Sequence, residues 1–366
     1  MEDNTVISAK VVEIRYEDLL SGKDLTEDIA EAYGFDGIGL LTVSGVPGLL
    51  DARDNLLPLA RRFATLEESV QKKYEDENSF YSFGWSLGKE KLEGKPDLSK
   101  GSYYANPQHD KPVDDEAIIK KYPGFASPNI WPTEEIPEFE EYFKALGQLI
   151  VSVGKLVAKQ CDSYAKTQSP NYVSGRLSRI IDTSLSCKAR LLHYFPFSAD
   201  IHGAGKDPND FSSWCGWHND HGSLTGLTSA MYLDAESGAP AANNDPSAGL
   251  YIRGRHGQLI KAAFPADQIA FQIGETAQIH SGGALQATPH AVRGSSDPKI
   301  CRDTFAVFME PNWDEDMNVP EGVTVEDAQS QLAAKALPKG IPPLSSRWTA
   351  GQTFGDFTEK TLSSYY

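Results

Sequence analysis

The 366-residue sequence is poor in cysteine and in basic side chains. Its four cysteines form no Cys-x-x-Cys pair, and such wide spacing favours a reducing compartment over a disulfide framework. The 34 lysines and arginines are outnumbered by 51 aspartates and glutamates, which gives a net charge of −17. Because such a surface repels nucleic acid and anionic membranes over about 10 Å at 0.1 M salt, we expect neither as a partner.

Long apolar segments are absent too. No run of about 18 apolar residues occurs, so the sequence predicts no transmembrane helix. The opening stretch "MEDNTVISAK" is acidic and lacks the apolar centre of a secretory signal. No repeat of solenoid period is visible. We therefore expect a cytoplasmic protein, monomeric by default, whose partner is a small molecule.

Hydrophobic residues make up 40% of the chain and aromatic residues 10%, which is typical of a folded globular protein. The first 170 residues alternate strand-like runs such as "VVEIRY" with helical stretches such as "LLDARDNLLPLARRFATLEESVQKKY". The clearest helix is predicted over roughly 133–165, because its apolar residues recur every three or four positions. Residues 77–132 have an irregular pattern.

The middle of the chain has a different pattern. Short strand-like runs, among them "ARLLHYF", "LTGLTSAMYL", "QIAFQIG" and "TFAVFME", are separated by turns rich in Gly, Pro, Asn and Asp. This pattern predicts a β-sandwich or barrel, of which the jelly roll is one form. Residues 234–249 are small and polar and predict a long surface loop. Residues 313–366 return to helical patterns, in "TVEDAQSQLAAKAL" and "TFGDFTEKTLSSYY".

One short motif, His218-Asn219-Asp220 in "WCGWHNDHG", could hold a metal ion. If it lies on a strand, residues two apart share a face, so both side chains reach one ion. Alone the motif is weak, because a surface histidine followed by a loop aspartate gives the same letters. His290 in "TPHAVRG" adds a third ligand. Two histidines and one carboxylate suit Fe(II) with open positions for a co-substrate and O2, but catalytic zinc sites have the same composition.

Arg302 lies 12 residues after His290, and Thr304 follows two residues later. An arginine can hold a carboxylate with two parallel hydrogen bonds, which a lysine cannot do. On a strand Thr304 would share the face of Arg302 and could add a hydroxyl group. A buried arginine paired with a core aspartate would give the same pattern, so this pair needs its context.

That context is the order of motifs. H-x-D, then "GET", then "TPHAV", then R-x-T resembles the iron(II)- and 2-oxoglutarate-dependent dioxygenases, in the branch that contains isopenicillin N synthase and plant flavonoid and hormone oxidases. The resemblance implies a mainly β fold with flanking helices around a double-stranded β-helix (jelly-roll) core. It also implies three regions: an N-terminal α/β region over 1–170, the core over 171–312, and a C-terminal helical extension over 313–366.

The resemblance implies roles for six side chains. His218, Asp220 and His290 would bind Fe(II), with no catalytic residue beyond these ligands. Arg302 and Thr304 would anchor the distal carboxylate of 2-oxoglutarate; the family usually has serine at the second position, and threonine keeps the hydroxyl. Tyr194, in "HYFP" where the family often has N-Y-Y-P, is a weaker candidate for the same co-substrate.

The implied activity is oxidation of a small organic molecule, by hydroxylation or desaturation, with O2 consumed and succinate and CO2 released. Ascorbate is a candidate reductant. The alternatives are a same-fold oxidase that closes rings without 2-oxoglutarate, and a ligand-binding protein of this fold without turnover. Candidate substrate-facing residues are Tyr103, Tyr104, Trp217 and His280, although core packing is the favoured interpretation for Trp217 and a surface position suits His280 equally well. His221 is expected to face away from the metal.

Overall fold

The computed structural model of the protein describes residues 6–7, 11–92, 95–198, 214–329, 337–338 and 341–365. The strands in these ranges are β1 (Val6–Ile7), β2 (Val12–Arg15), β3 (Leu40–Ser44), β4 (Gly84–Leu87), β5 (Lys91–Leu92), β6 (Lys95–Pro96), β7 (Lys100–Ala105), β8 (Lys188–Tyr194), β9 (Cys215–His218), β10 (Leu224–Thr228), β11 (Met231–Asp234), β12 (Gly249–Arg253), β13 (Leu259–Ala262), β14 (Gln268–Ile273), β15 (His290–Arg293) and β16 (Ile300–Met309).

The helices surround these strands. They are α1 (Tyr16–Ser21), α2 (Thr26–Tyr33), α3 (Leu49–Ala64), α4 (Glu68–Gln71), a 3₁₀ turn (Lys72–Tyr74), α5 (Glu116–Lys121), α6 (Pro123–Ala126), α7 (Phe139–Gln168), α8 (Arg176–Thr183), α9 (Glu275–His280), α10 (Val325–Gln329), α11 (Leu344–Arg347) and α12 (Phe354–Tyr365). No helix in the described ranges is long and apolar enough to cross a membrane.

Two sheets form the centre of the molecule. The larger has the order β2-β3-β14-β10-β16-β8-β7-β4, with β11 also paired to β16, and the smaller has the order β1-β13-β12-β15-β9. From β8 onward the chain passes repeatedly between the sheets. Apolar side chains from both inner faces pack together, among them Leu192 and Ala306 of the larger sheet and Val292 of the smaller. The prediction of a sheet-rich fold with flanking helices is confirmed.

The first 105 residues extend the larger sheet at both of its edges. Strand β3 pairs with β14 on one side, and β7 pairs with β8 on the other. Strands β4 and β7 lie within residues 77–132, where the sequence indicated irregular structure, so that expectation is wrong. The pattern was obscured because Tyr103 and Tyr104 are neighbours on β7 with opposite facings and neither face is uniformly apolar.

Helix α7 packs its predicted apolar stripe against the larger sheet. Phe143, Leu146 and Ile150 are fully buried. The Phe143 ring packs edge-on against the Phe305 ring of β16, with ring centroids 5.0 Å apart. The helix begins later than predicted because Pro137 disfavours helical geometry in the residue before it. The helix predicted across 49–74 is also interrupted, since α3 ends at Ala64 and α4 begins at Glu68.

The remaining predictions concern loops, strands and helices in the second half of the chain. The loop over 234–249 is confirmed, because β11 ends at Asp234 and β12 begins at Gly249. The last predicted helix is α12. Of the helix predicted in "TVEDAQSQLAAKAL", the structure shows Val325–Gln329 as helix, and residues 330–336 lie outside the described ranges. The single strand predicted in "LTGLTSAMYL" is divided into β10 and β11.

Replacing Phe143 with alanine should lower the free energy of unfolding by about 3–5 kcal/mol, because it leaves a cavity between α7 and the larger sheet. Glu141→Ala, on the exposed face of the same helix, should change it by no more than about 0.5 kcal/mol. Urea unfolding monitored by circular dichroism measures both values. Equal effects of the two substitutions would contradict this packing.

Candidate metal and co-substrate site

His218 and His290 are brought together by strand pairing. His218 is the last residue of β9, His290 is the first of β15, and the two are register partners across these antiparallel strands. Their ring centroids lie 4.2 Å apart. The basis of the H-x-D prediction is partly wrong, because β9 ends at His218 and Asp220 follows in a loop. The loop nevertheless returns the carboxylate to the two imidazoles.

The three side chains form one cluster. One ligand atom from each of His218, Asp220 and His290 lies within 4.8 Å of the others. Asp220 Oδ1 is 3.9 Å from His218 Nε2 and 3.8 Å from His290 Nε2. Asp220 Oδ2 is buried and has no hydrogen-bond partner among the described residues. An orphaned carboxylate oxygen beside two imidazole nitrogens is a donor set that fits a divalent cation.

Backbone carbonyls orient both imidazoles. His218 Nδ1 donates to Gly216 O at 2.8 Å, and His290 Nδ1 donates to Thr288 O at 3.2 Å. A proton held on Nδ1 leaves the Nε2 lone pair of a neutral ring facing the cluster, as a metal ligand requires.

Burial and the neighbouring charges set the protonation of the cluster. Burial, reinforced by the nearby His218, lowers the pKa of His290 to about 4. For Asp220, burial acts to raise the pKa, but His290 and His218 outweigh it and the pKa is below its usual value. Near neutral pH His290 is therefore a neutral imidazole and Asp220 an ionised carboxylate, the forms that bind a cation. For His218, burial acts to lower the pKa, but Cys215 and Asp220 outweigh it and raise the pKa to about 9, so a metal ion would displace a proton from this ring.

A cavity of about 340 Å³ between the two sheets begins at this cluster. Arg302, Thr304 and Tyr194, all predicted to bind the co-substrate, line the same cavity. The pairing of β8 with β16 places Tyr194 directly beside Arg302, and the guanidinium carbon lies 4.9 Å from the centre of the Tyr194 ring. The structure thus brings together in one cavity all six side chains for which the resemblance implied a metal or co-substrate role.

Arg302 places a buried positive charge in the wall of this cavity. It is 7% exposed, and its Nε and Nη1 have no hydrogen-bond partner within the described part of the chain. The neighbouring Asp303 follows Arg302 on β16 and has its side chain on the opposite face of the strand, where Asp303 Oδ1 accepts from His193 Nδ1 at 2.6 Å. Since arginine remains charged and a buried unpaired charge is costly, this guanidinium fits an anion that enters the cavity.

Thr304 has a hydrogen bond of its own. Its hydroxyl donates to Thr228 O at 3.3 Å, which is long for an O–H···O bond. Gln272 also lines the cavity, and its Oε1 is buried without a partner among the described residues. Sequence reasoning missed Gln272 because a glutamine within a strand carries no motif.

The four candidate substrate-facing residues do not line this cavity. Tyr103 is 1% exposed and packs against Phe63 and Phe139, with its ring centroid 4.9 Å and 4.7 Å from theirs. The Tyr104 hydroxyl donates to Glu90 Oε1 at 3.0 Å.

Trp217 and His280 have contacts outside this cavity. The guanidinium of Arg253 lies 5.6 Å from a ring of Trp217. His280 is buried, and its Nε2 donates to Asp316 O at 2.9 Å. Burial, reinforced by Arg176, holds the pKa of His280 well below its usual value. The His221 ring faces away from the cluster, as expected, and stacks on the Phe354 ring with centroids 5.7 Å apart.

Arg190 is a cavity residue that sequence reasoning missed. Its Nε donates to Ser102 Oγ at 2.9 Å and its Nη2 to Glu90 Oε1 at 2.7 Å. Its guanidinium also lies 5.0 Å from the centre of the Tyr104 ring. The signal was available, because residues two apart on a strand share a face and Arg190 is four residues before Tyr194 on β8.

Comparison with known proteins supports the fold. No protein-family model matches the chain, and no curated protein sequence matches it. Among solved structures, a full-length Neurospora crassa protein crystallised in complex with alpha-KG and thymine matches with a TM-score of 0.67 at 19% identity, covering 100% of this chain and 99% of that one. A putative 2OG-Fe(II) oxygenase family protein from Caulobacter crescentus matches with a TM-score of 0.63 at 19% identity, covering 98% and 100%.

A plant protein is similar as well. The dioxygenase for auxin oxidation 1 from Arabidopsis thaliana, crystallised with 2-oxoglutarate, matches with a TM-score of 0.57 at 16% identity, covering 87% of this chain and 99% of that one. The chain therefore has the fold of 2-oxoglutarate/Fe(II) oxygenases.

His290→Ala should weaken Co(II) binding by more than about 100-fold, since losing a direct ligand costs more than the 10–100-fold typical of an outer partner. His256→Ala removes an exposed histidine that contacts Asp36 and should leave the affinity unchanged. Isothermal titration with Co(II) measures both. Unchanged affinity in His290→Ala would exclude the cluster as the metal site.

Proposed function

We propose that this protein is an Fe(II)- and 2-oxoglutarate-dependent dioxygenase that hydroxylates or desaturates a small organic molecule, with release of succinate and CO2. One observation carries the proposal: a single cavity joins the cluster of His218, Asp220 and His290 to the guanidinium of Arg302, whose Nε and Nη1 have no hydrogen-bond partner among the described residues. A cation site and a buried cationic side chain in one cavity suit a ligand with an acid group at each end. 2-Oxoglutarate has a carboxylate at each end, and the fold similarity to 2-oxoglutarate/Fe(II) oxygenases supports it as the ligand.

The proposal extends to architecture. The passage of β8–β10 and β12–β16 between the two sheets supports a double-stranded β-helix (jelly-roll) core. In this proposal residues 171–312 are the core, 1–170 pack on it as an N-terminal region, and 313–366 are a helical extension. The resemblance of motifs further favours the branch with isopenicillin N synthase and the plant-type enzymes. The same proposal takes the protein as cytoplasmic and monomeric, without nucleic-acid or membrane partners.

Each side chain then has a defined task. His218 Nε2, Asp220 and His290 Nε2 would hold the metal, and bound iron would supply O2 activation coupled to oxidation of the 2-oxo acid. Arg302 would bind the distal carboxylate through Nε and Nη1, which are now unpaired among the described residues. Thr304 would add a hydroxyl donor by releasing its long bond to Thr228 O. The apolar walls at Leu192 and Val292 would keep water from the reacting groups.

Arg190 is the candidate substrate contact that this cavity adds. Glu90, Ser102 and the Tyr104 ring fix its guanidinium, while the side chain lines the cavity of the metal cluster. A rigidly held guanidinium that lines this cavity suits a substrate with an acceptor oxygen.

Succinate formation from 2-oxoglutarate tests the reaction. With Fe(II), ascorbate and O2, and a panel of small metabolites as substrates, wild-type protein should release succinate in a substrate-dependent manner. His218→Ala should abolish the release because a metal ligand is lost. Full turnover by His218→Ala would overturn the assignment. Turnover of a metabolite without 2-oxoglutarate would favour the same-fold oxidase, and tight metabolite binding without O2 consumption would favour a non-catalytic binding protein.

Arg302→Lys keeps the charge but loses the planar fork, so it should weaken 2-oxoglutarate binding at least about tenfold. Titration of 2-oxoglutarate into anaerobic Mn(II)-loaded protein measures the effect. Arg179→Lys, at an exposed arginine paired with Glu315, is the matched control and should bind normally. If Arg302→Lys also binds normally, the guanidinium is not the carboxylate anchor.

A further inference from the structure

The C-terminal segment 341–365 is connected to the metal cluster through one buried ion pair. Arg347 of α11 and Glu275, the first residue of α9, are 0% and 3% exposed at their side chains. Arg347 Nη2 donates to Glu275 Oε1 at 2.6 Å, and Nη1 donates to Oε2 at 2.8 Å. Two parallel bonds of this kind fix the position and the plane of the carboxylate.

Glu275 in turn holds the residue between two proposed metal ligands. Its Oε1 accepts a hydrogen bond from Asn219 Nδ2 at 3.1 Å, and its backbone N–H donates to Asp220 O at 2.8 Å. Asn219 separates His218 from Asp220 in the sequence. The carboxylate and the backbone of Glu275 therefore both bind the loop that carries Asp220 away from the end of β9.

The neighbours of Glu275 in "GET" reinforce this contact. Thr276 Oγ1 donates to His221 O at 2.6 Å. A Cβ on Gly274 would lie 2.1 Å from Gly222 O, so only glycine allows the two chain segments to approach so closely. The function proposed above gives no task to this motif, and the contacts named here all go to residues 219–222.

Arg347 is itself firmly anchored in the C-terminal segment. Its Nε donates to Pro342 O at 3.2 Å and its Nη1 to Thr361 Oγ1 of α12 at 3.1 Å. The flanking Leu344 and Trp348 are buried in a cluster with Ile279 of α9. The position of Glu275 thus depends on the packing of α11 and α12.

We propose that Arg347 is a positioning residue for the metal site: through Glu275 and Asn219 it holds the His218–Asp220 loop in the geometry that binds a metal ion. This inference rests on the proposed function only in taking His218, Asp220 and His290 as the ligands. It makes the C-terminal segment a required part of the metal centre, acting through Glu275 and not as a source of ligands.

Titration of the full chain with Co(II) alone tests this role, with the visible Co(II) spectrum as a second readout of coordination geometry. Arg347→Met should weaken Co(II) binding about 10–100-fold, the usual effect of losing an outer partner of a ligand, and should alter the spectrum. Arg176→Met is the matched control, since Arg176 also anchors the C-terminal region, through Asn318 O and Asp316 O, but does not contact Glu275. It should lower thermal stability without changing the Co(II) affinity more than about twofold.

Arg347→Met leaves the buried carboxylate of Glu275 without its cation, which can prevent folding, so Asn219→Ala serves as a second variant. Asn219→Ala removes only the hydrogen bond from Asn219 Nδ2 to Glu275 Oε1 and should weaken Co(II) binding about tenfold. Because both substitutions act through Glu275, the double variant should bind no more weakly than Arg347→Met alone. Wild-type affinity and spectrum in folded Arg347→Met, or in Asn219→Ala where the first variant does not fold, would overturn the proposal.

The two proposals fail in different ways. If wild-type protein binds Co(II) through His290 and Arg347→Met binds it weakly, yet no succinate forms with any substrate, the positioning role stands and the dioxygenase assignment falls. If succinate forms normally and the variants keep wild-type Co(II) affinity, only the positioning role falls. If wild-type protein binds no Co(II), both fall.

Discussion

The site depends on the pairing of β9 with β15. This pairing places His218 opposite His290. Backbone hydrogen bonds between the strands thus set the positions of two of the three candidate ligands. Because side chains alternate along a strand, a slip of one residue would turn one imidazole to the opposite face. The apolar contacts of Val292 with Leu192 and Ala306 hold β15 against the larger sheet, and the β9–β15 register shifts between His290 and Val292. The hydrophobic core and the metal site therefore share strand β15.

The second constraint is electrostatic. The cavity holds one oxygen of Asp220 and two guanidinium nitrogens of Arg302 that lack hydrogen-bond partners among the described residues, and such buried polar atoms are costly when unpartnered. A fold bears this cost where function requires it, and a metal ion with a dianionic co-substrate would satisfy both groups. The bidentate pair of Arg347 with Glu275 shows the opposite situation, in which both charges are satisfied inside the chain.

Sequence reasoning reached these groups to different degrees. His218, His290 and Arg302 could be found because each lies in a short strand with a recognisable pattern, and their order along the chain added the specificity that each motif lacked. The position of Asp220 was predicted for the wrong reason, since a loop, and not the strand, returns it to the cluster. Tyr103 was selected from its position in the chain alone, but it faces Phe63 and Phe139 in the core.

Contacts between distant segments could not be predicted from local pattern. Glu275 and Arg347 are 72 residues apart, and nothing in either segment indicates that they meet. The spacing of Arg190 from Tyr194 on β8 indicates that the two share a face, but only the pairing of β7 with β8 places Ser102 and Tyr104 near Arg190. Such contacts come from the tertiary arrangement of elements whose existence, but not whose neighbours, the sequence predicts.

The most direct measurement is a crystal structure of the anaerobic protein with Mn(II) and 2-oxoglutarate. The account predicts the metal on His218, Asp220 and His290, with the co-substrate in the cavity between the sheets and its distal carboxylate roughly 3 Å from Arg302 Nε or Nη1. A metal bound to other residues, or a carboxylate that leaves Arg302 without a partner, would contradict it.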